Sequence, residues 1–270
     1  MLSLVKGSAV SVKVYDPSGS PVKDLKLPLI FSMPIRKDII RRAFLSSFTA
    51  KIQPQGRDPM AGKRTTAQSW GVGFGIARVP RTKGSRYPKA NRAAFAPMTV
   101  GGRRTHPPRA EKVVYERINK KEKRLAVVSA ISATADSKYV SLRGHRVSSV
   151  KQIPLVVTKD FEELSKSNEV RASFKALGVW DDILRVSESK KLRAGKGKFR
   201  GRKYKIRRGP LLVLSGRVPV FDAAKNFLGV DIVDARNVSV IHLAPGGVPG
   251  RLTIWTEPSI SILQERFKLG

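Results

Sequence analysis

Cysteine is absent from this 270-residue sequence, and histidine is scarce. The lack of cysteine excludes disulfide bonds, thiolate zinc sites and a cysteine nucleophile, and it is compatible with a reducing cytoplasm. The three histidines, His106, His145 and His242, do not lie at metal-ligand spacing from one another or from an acid. We therefore expect no metal site, and we expect each histidine to be structural or to contact a partner.

Long apolar runs are also missing. No segment approaches the roughly 18 consecutive apolar residues that a membrane-spanning helix needs, and no long basic amphipathic helix stands out that would lie on a membrane surface. The first residues, MLSLVKGSAVSVKVYD, lack a basic segment followed by a sustained apolar stretch. We expect neither a membrane partner nor a signal peptide.

Acidic residues are few and unevenly placed. The chain has 53 Lys+Arg against 20 Asp+Glu, which gives a formal net charge of +33. Residues 51–110 contain 13 basic residues and one acid, Asp58, and residues 186–210 contain 11 basic residues and one acid, Glu188. Residues 211–270 are nearly neutral, with 6 basic residues against 5 acids. This distribution predicts a body with two polycationic segments and a polyanionic partner, of which nucleic acid is the commonest.

Outside these segments the sequence has the patterns of an α/β body. Val10, Val12 and Val14 alternate with polar residues and predict a strand before the turn PSGSP. Further strands are expected in the short apolar runs 153–157, 211–214, 238–243 and 252–255. Helices are expected from Pro34 to Phe48, from a capping-box pattern at Asn119 and Glu122 to Ala135, and from Val170 up to Gly178. The alternation predicts an α/β fold over residues 1–51 and 110–270, with a partly parallel central sheet flanked by helices.

Residues 52–109 do not fit that body. They show no sustained period of 2 or 3.6, and prolines and glycines interrupt them repeatedly. A stretch of this length without secondary structure is uncommon inside a compact domain unless it is functional or disordered. Helical patterns flank it on both sides, so we expect an extended internal loop that folds back on itself.

The motifs that resemble nucleotide-binding loops fail on spacing. Gly71, Gly73 and Gly75 alternate, whereas a dinucleotide fingerprint needs G-x-G-x-x-G between a strand and a helix, with an acid about 20 residues later. The segments AGKR at 61–64 and AGKGK at 194–198 lack the glycine and the Lys-Ser/Thr pair of a phosphate loop. These glycines are better explained by a backbone that bends or approaches another surface closely.

No catalytic constellation is present in the sequence. The acid pairs Glu162/Glu163 and Asp181/Asp182 are expected to be solvated charges at helix starts. No nucleophile elbow or acid/base cluster occurs, so the chain is predicted not to be an enzyme and to hold no cofactor.

Aromatic residues interleave the cations of the first segment. Trp70, Phe74, Tyr87 and Phe95 either anchor the loop or stack on unpaired bases, and we favour contact with a partner for Trp70 and Phe74. The second segment, 189–210, is either a phosphate-following basic segment or a disordered basic linker. Because dense like charges repel, both segments are expected to become ordered only when a polyanion neutralises them.

Several long motifs carry a family resemblance over essentially the whole chain. In chain order these are QSWGVGFGIARVPR, MTVGGRRTHPP, LAVVSAISATAD, RGHR, LRAGKGKFRGRKYKIRRGP and HLAPGGVPGRLTIWTE. They resemble the universal large-subunit ribosomal protein L-four family in its archaeal form. The resemblance implies a cytoplasmic, structural ribosomal protein with an outer globular body and a long loop that penetrates the rRNA. The alternative is a general protein that binds and condenses nucleic acid.

The resemblance also implies partners and positions. The partners are 23S-type rRNA, neighbouring large-subunit proteins including the L-twenty-two protein at the tunnel constriction, and, transiently, the nascent peptide. The tunnel tip corresponds to Ser69, Trp70, Gly71, Gly73, Phe74, Gly75, Arg78 and Arg81. Contacts with rRNA are expected from Lys63, Arg64, Trp70, Arg78, Arg81, Lys83, Arg86, Tyr87, Lys89, Arg92, Arg103, Arg104, His106, Lys190, Lys191, Arg193, Lys196, Lys198, Arg200, Arg202, Lys203, Lys205, Arg207 and Arg208. Two positions depart from the family pattern, because Phe74 stands where arginine is expected and Ala94 where glycine is expected.

Overall fold

A computed structural model describes residues 11–267 of the chain in two compact units. One unit is formed by residues 11–48 together with 116–267, and the other by residues 49–115. Val10, the first valine of the predicted N-terminal strand, lies outside the described residues. The assignment of residues 52–109 as a loop that reaches into RNA stays a prediction.

The strands and helices are numbered in chain order. The strands are β1 Ser11–Tyr15, β2 Pro21–Lys26, β3 Leu155–Val157, β4 Lys191–Leu192, β5 Tyr204–Lys205, β6 Leu211–Leu214, β7 Asp231–Asp234 and β8 Thr253–Thr256. The helices are α1 Lys37–Thr49, α2 Lys120–Ala135, α3 Ser137–Leu142, α4 Asp160–Glu163, α5 Ser167–Ala176, α6 Trp180–Glu188, α7 Pro219–Ala224, α8 Val240–Leu243 and α9 Glu257–Arg266.

Six strands of the described chain form one sheet in the order β2-β1-β3-β8-β6-β7. The β1–β2 pair is antiparallel, and the remaining neighbours are parallel. Strands β3, β6 and β8 are buried along their whole length, as expected for parallel strands covered on both faces. The predicted α/β fold with a partly parallel, helix-flanked sheet is therefore confirmed.

The two faces of this sheet support separate cores, because successive side chains of a strand point to opposite faces. On the first face, Val156, Trp255 and Val213 pack in a cluster with residues of α1, α2, α8 and α9. On the second face, Leu155, Ile254 and Leu212 pack in a cluster with residues of α4, α5, α6 and α7. The helices that follow neighbouring strands thus lie on opposite faces of the sheet.

Most of the predicted elements occur where the sequence placed them. The apolar runs 153–157, 211–214 and 252–255 contain β3, β6 and most of β8, whereas the predicted strand at 238–243 is wrong because the short helix α8 forms there. Helix α1 forms as predicted, but Phe48 is exposed and does not join the core. Helix α5 ends before Gly178, which has a φ of +77°.

Helix α2 begins directly after Asn119 and ends at Ala135, as predicted. The expected capping box does not form, since the Asn119 side chain makes no capping hydrogen bond. The Glu122 carboxylate instead forms an ion pair with Arg42 of α1 at 2.9 Å. The acid therefore joins the two helices rather than closing the end of its own helix.

The prediction of solvated acid pairs is wrong for one member of each pair. Glu162 of α4 is buried, and its carboxylate accepts hydrogen bonds from the Ser215 backbone N–H at 2.8 Å and from the Ser215 and Thr256 hydroxyls, both at 2.6 Å. Ser215 and Thr256 stand at the carboxyl ends of β6 and β8. Open α/β sheets bind ligands in the crevice at this edge, where the following helices diverge to opposite faces. Here an internal carboxylate fills that position.

Candidate nucleic-acid interface

The backbone of residues 49–115 forms a folded-back loop with its own hydrogen bonds. The Arg57 N–H donates to the Pro108 carbonyl at 3.0 Å, which joins the outgoing and returning legs. Further along, Gln68 and Arg81 exchange two backbone hydrogen bonds of 3.0 Å, and Arg81 also bridges to Ala93. Three backbone segments thus lie side by side at Arg81, the last residue of the expected tip.

Within the expected tip, residues 69–81, a serine closes the turn of residues 69–78. The Ser69 hydroxyl donates to the Arg78 carbonyl at 2.9 Å and accepts from the Gly71 N–H at 3.3 Å. Gly71, Gly73 and Gly75 all have positive φ, of +82°, +96° and +64°, which favours glycine at these positions. The alternating glycines therefore shape a turn of the tip.

Two aromatic rings of the tip contact each other. Trp70 and Phe74 pack edge to face with ring centroids 5.7 Å apart and an interplanar angle of 75°. Their residues remain 41% and 61% exposed. The phenylalanine at the position where the family resemblance implies arginine thus makes an apolar, accessible pair with Trp70.

Most of the predicted loop cations are exposed. Lys63, Arg64, Arg78, Lys83, Arg86, Lys89, Arg92 and Arg104, together with His106, are exposed, whereas Arg81 and Arg103 are partly buried. The Arg81 guanidinium donates to the Asn91 carbonyl at 3.1 Å, and Arg103 lies over the Phe95 ring at 5.6 Å. These two arginines have contacts within the loop's own fold.

Tyr87 and Ala94 have structural explanations. The Tyr87 hydroxyl donates to the Lys83 carbonyl, and its ring lies so close to Gly84 that a Cβ there would be 2.7 Å from the ring. The ring therefore packs against a local turn, although it remains exposed. Positive φ occurs at Phe95, at +65°, and not at Ala94, so the glycine expected at position 94 is not required by this backbone.

The loop's acid is paired with a neighbouring cation. Arg64 and Asp58 form a two-bond ion pair, of which the Nη2–Oδ1 bond is 3.1 Å. The hydrogen bond from Arg64 lowers the pKa of Asp58, so this carboxyl group stays ionised and paired at neutral pH. The negative charge of Asp58 is thereby compensated within the loop.

The second cationic segment contains a hairpin that the sequence did not reveal. Strands β4 and β5 are antiparallel, with Lys191 opposite Lys205 and Leu192 opposite Tyr204, and a 3-10 turn spans Lys196–Lys198. The Arg193 N–H donates to the Lys203 carbonyl at 3.0 Å, and the Arg193 side chain donates to the Arg202 carbonyl at 3.0 Å. We call residues 189–210 the basic hairpin. Its exposed predicted cations are Lys190, Lys191, Lys196, Lys198, Arg200, Arg202, Lys203, Lys205, Arg207 and Arg208, while Arg193 is partly buried.

A fully buried arginine binds the C-terminal end of the basic hairpin at residues 209–210, which we call its root. Arg251 donates to the carbonyls of Gly209 at 2.9 Å, Pro210 at 3.3 Å and His242 at 2.9 Å, and it pairs with Asp231 at 2.7 Å. Burial lowers the pKa of Arg251, and the adjacent Asp231 carboxylate opposes this shift. Sequence reasoning missed Arg251, and the cation directly before the apolar run 252–255 was the available signal.

A second buried charge cluster lies beside that root. Asp182 of α6 accepts from His145 Nδ1 at 2.9 Å and from Arg185 Nε at 2.8 Å, and Arg185 Nη2 donates to the Arg208 carbonyl at 3.1 Å. Burial lowers the pKa of His145, and the hydrogen bond with Asp182 only partly offsets this shift. Burial alone would raise the pKa of Asp182, but the hydrogen bonds from His145 and Arg185 outweigh it and lower that pKa. The cluster is a neutral histidine beside an ionised Asp–Arg pair.

Within the described residues, no group of three or more His, Cys, Asp and Glu side chains is placed to hold a metal ion. No helix of residues 11–267 is long and apolar enough to cross a membrane. His106 is exposed, His145 is buried against Asp182, and His242 Nδ1 lies 3.1 Å from the Ser239 hydroxyl.

The chain matches known proteins along most of its length. Residues 25–266 match the model of the Ribosomal protein L4/L1 family. The large ribosomal subunit protein uL4 of Sulfolobus acidocaldarius is 55% identical over 258 residues, which cover 95% of each chain. The proteins of the same name from Saccharolobus islandicus strain M.14.25 and Saccharolobus solfataricus are 54% and 52% identical over 266 residues, which cover 98% of this chain and 97% of each relative.

Proposed function

Because the chain belongs to the Ribosomal protein L4/L1 family, we propose that it is a structural constituent of the large ribosomal subunit. The protein acts there in the cytoplasm and is not an enzyme. It binds 23S-type rRNA through the loop 52–109 and through the basic hairpin, and it supports assembly of the subunit. Its body also contacts neighbouring large-subunit proteins.

One observation carries this proposal, namely that the acid within or beside each cationic segment is paired with an arginine. Asp58 pairs with Arg64 in the loop, and Glu188, just before the basic hairpin, pairs with Arg146 at 3.2 Å. The exposed cations around them are thus left to neutralise phosphates, which releases condensed counterions. Binding is therefore expected to weaken steeply as the salt concentration rises.

The tip of the loop, residues 69–81, forms part of the peptide exit tunnel wall beside the L-twenty-two protein. Support comes from its accessible Trp70–Phe74 pair and from glycines that place no side chains on the turn. A wall of this kind is locally more apolar than one with arginine at position 74. The nascent peptide contacts it transiently.

Deleting Lys63–Arg104 tests the role of the loop. Gly62 lies against Gly102 and Arg103 in the folded loop, so a short glycine linker closes the gap. We expect the far-UV circular dichroism of the body to persist, since its core is built from other residues, and incorporation into large subunits to fall. Co-sedimentation with large subunits at moderate salt measures the second effect.

A smaller deletion of Gly71–Ala77 is the matched control, because it removes no cation. This variant is expected to keep its affinity for rRNA and to lose photo-cross-links from position 70 to the nascent peptide. A full-length chain recovered only free or on duplex DNA would contradict the proposal and favour general nucleic-acid condensation. Loss of cooperative unfolding after the larger deletion would contradict the independence of the body.

A further inference from the structure

A cleft of about 470 Å³ opens at the base of the basic hairpin, and we call it the hairpin cleft. Five cations and one carboxylate line it, namely Arg146, Arg185, Lys191, Lys205, Arg207 and Glu188. The Glu188 carboxylate is engaged by Arg146. The wall of the cleft therefore presents a strong excess of positive charge to whatever enters.

Two of these cations face each other directly across the hairpin. Lys191 and Lys205 are partners in the β4–β5 ladder, which brings their Cβ atoms to about 4.5–5.5 Å. Among the described residues, neither ammonium group has a hydrogen-bond or ion-pair partner. Like charges directly opposite on a sheet are destabilising. An anion bound between the two lysines would turn this repulsion into attraction.

Two neighbouring lysines of the hairpin are arranged differently. Lys190 and Lys203 lie over the Tyr204 ring at 4.7 and 5.6 Å, so each has an aromatic partner. Tyr204 in turn is opposite the uncharged Leu192. Within β4 and β5, Lys191 and Lys205 are therefore a directly opposed pair of like charges without such a partner.

The cleft also has one rigid cation. Arg185 is held by two hydrogen bonds to Asp182, at 2.8 and 3.2 Å, and by one to the Arg208 carbonyl at 3.1 Å. Its Nη1 has no partner among the described residues. A guanidinium fixed in this way loses little conformational freedom when it binds an anion.

We propose that the hairpin cleft binds one unpaired nucleotide of an RNA strand, with its phosphate held between Lys191 and Lys205. Arg185 donates to the same anion, and Ile206 provides an apolar wall for the base. Pockets that bind small molecules have volumes of about 300–1,000 Å³, and the volume of the hairpin cleft falls in this range. The cleft can therefore accommodate one nucleotide but not a double helix. Unpaired nucleotides are also the main targets of sequence-specific RNA recognition. This inference rests on the proposed function, because rRNA supplies the strand.

The test compares two double variants of the full-length protein. K191Q/K205Q removes the facing pair, and K196Q/K198Q removes two exposed lysines from the turn of the same hairpin, outside the cleft. The probe is a fluorescein-labelled single-stranded RNA tetranucleotide, titrated at several salt concentrations. We expect K191Q/K205Q to weaken binding by about tenfold, as for loss of a charge-assisted contact, and to reduce the salt slope by about 0.7. K196Q/K198Q should change both quantities much less.

Hydrogen exchange provides a second measurement that does not depend on affinity. The Arg193 N–H bonds across the hairpin to the Lys203 carbonyl. Its exchange should slow when the tetranucleotide is added to the wild-type protein, and it should not respond in K191Q/K205Q. An unchanged exchange rate in the wild-type protein at saturating tetranucleotide would overturn the proposal.

Two further outcomes would also overturn it. Equal weakening by both double variants would mean that the hairpin senses only total charge. Displacement of the probe by inorganic phosphate as readily as by a mononucleotide would mean that the cleft holds a free anion. Binding of a large-subunit rRNA fragment is measured in parallel. If the wild-type protein binds that fragment while the cleft variant behaves like its control, only the cleft inference fails; if the wild-type protein does not bind it, the proposed function fails.

Discussion

Replacing Arg251 with methionine should strongly destabilise the body, because this side chain is fully buried and saturated with contacts. The substitution removes three hydrogen bonds, to the carbonyls of Gly209, Pro210 and His242, although the Pro210 carbonyl still accepts from the Asp231 N–H at 3.2 Å. At about 1 kcal/mol for each of the three hydrogen bonds lost, the loss is about 3 kcal/mol. Breaking a buried ion pair costs about 3–5 kcal/mol in proteins. The lower end of that range applies here, because the Asp231 side chain is 32% exposed and keeps Arg208 as an ion-pair partner.

Two further variants, at Asp231 and at its other ion-pair partner Arg208, provide destabilisations with which that of Arg251→Met can be compared. Asp231→Asn keeps a hydrogen-bond acceptor but removes the counter-ion of the fully buried Arg251 guanidinium, which should cost about 3 kcal/mol. Arg208→Gln breaks an ion pair whose arginine side chain is 60% exposed, and solvent screening should hold its cost below about 1 kcal/mol. Both variants at the buried Arg251–Asp231 pair should therefore destabilise the body more than Arg208→Gln does.

Urea unfolding followed by far-UV circular dichroism measures this series in the full-length chain. The helices of the described residues lie in the body, apart from the last residue of α1, so the helical signal follows the body and not the loop. For a unit of this size, about 3 kcal/mol corresponds to a fall in Tm of about 6–12 °C. If Arg251→Met were no more destabilising than Arg208→Gln, the reasoning about the buried root of the hairpin would be refuted.

Two further predictions concern buried ionisable groups. Burial lowers the pKa of His145 below its ordinary 6.5, so as the pH falls this histidine is protonated in the unfolded chain before it is protonated in the folded chain. The contribution of His145 to stability is therefore complete above about pH 6.5 and falls as the pH drops below that value. His145→Gln should flatten this pH dependence of the urea midpoint, and the exposed control His106→Gln should leave it unchanged. A pH profile that is the same in all three proteins would contradict this assignment. Glu162→Gln should cost about 1–3 kcal/mol, because an amide nitrogen replaces one acceptor among three donors, whereas the exposed neighbour Glu163→Gln should be nearly neutral. Equal stability of these two variants would show that the buried Glu162 carboxylate contributes nothing to the stability of the folded body.

The sequence predicted the central strands because burial on both faces makes them continuously apolar. Strands β3, β6 and β8 have this pattern, and it gave their positions to within a few residues. The edge strand β7 was missed, since its sequence DIVD has only two apolar residues between two acids. The apolar run 238–243 was wrongly predicted to be a strand, because a buried helix of four residues can be as continuously apolar as a strand.

The charge distribution predicted which segments bear the exposed cations, but it did not predict their backbone. The two-residue strands of the basic hairpin are too short for any periodicity to appear. The charges that hold its root were equally hidden, because Asp182 and His145 are 37 positions apart and Arg251 bonds to carbonyls of residues distant in sequence. A pattern along the chain does not reveal a pairing between distant positions.

The pairing of Arg81 with both Gln68 and Ala93 gives the loop a mechanical property. Arg81 connects the tip to the side turn of residues 82–92, whose ends are joined by hydrogen bonds between Thr82 and the backbone of Asn91 and Arg92. The tip and that side turn are therefore connected directly through the backbone of Arg81. An insertion between residues 71 and 77 would therefore lengthen the tip without interrupting the backbone pairing of Gln68, Arg81 and Ala93.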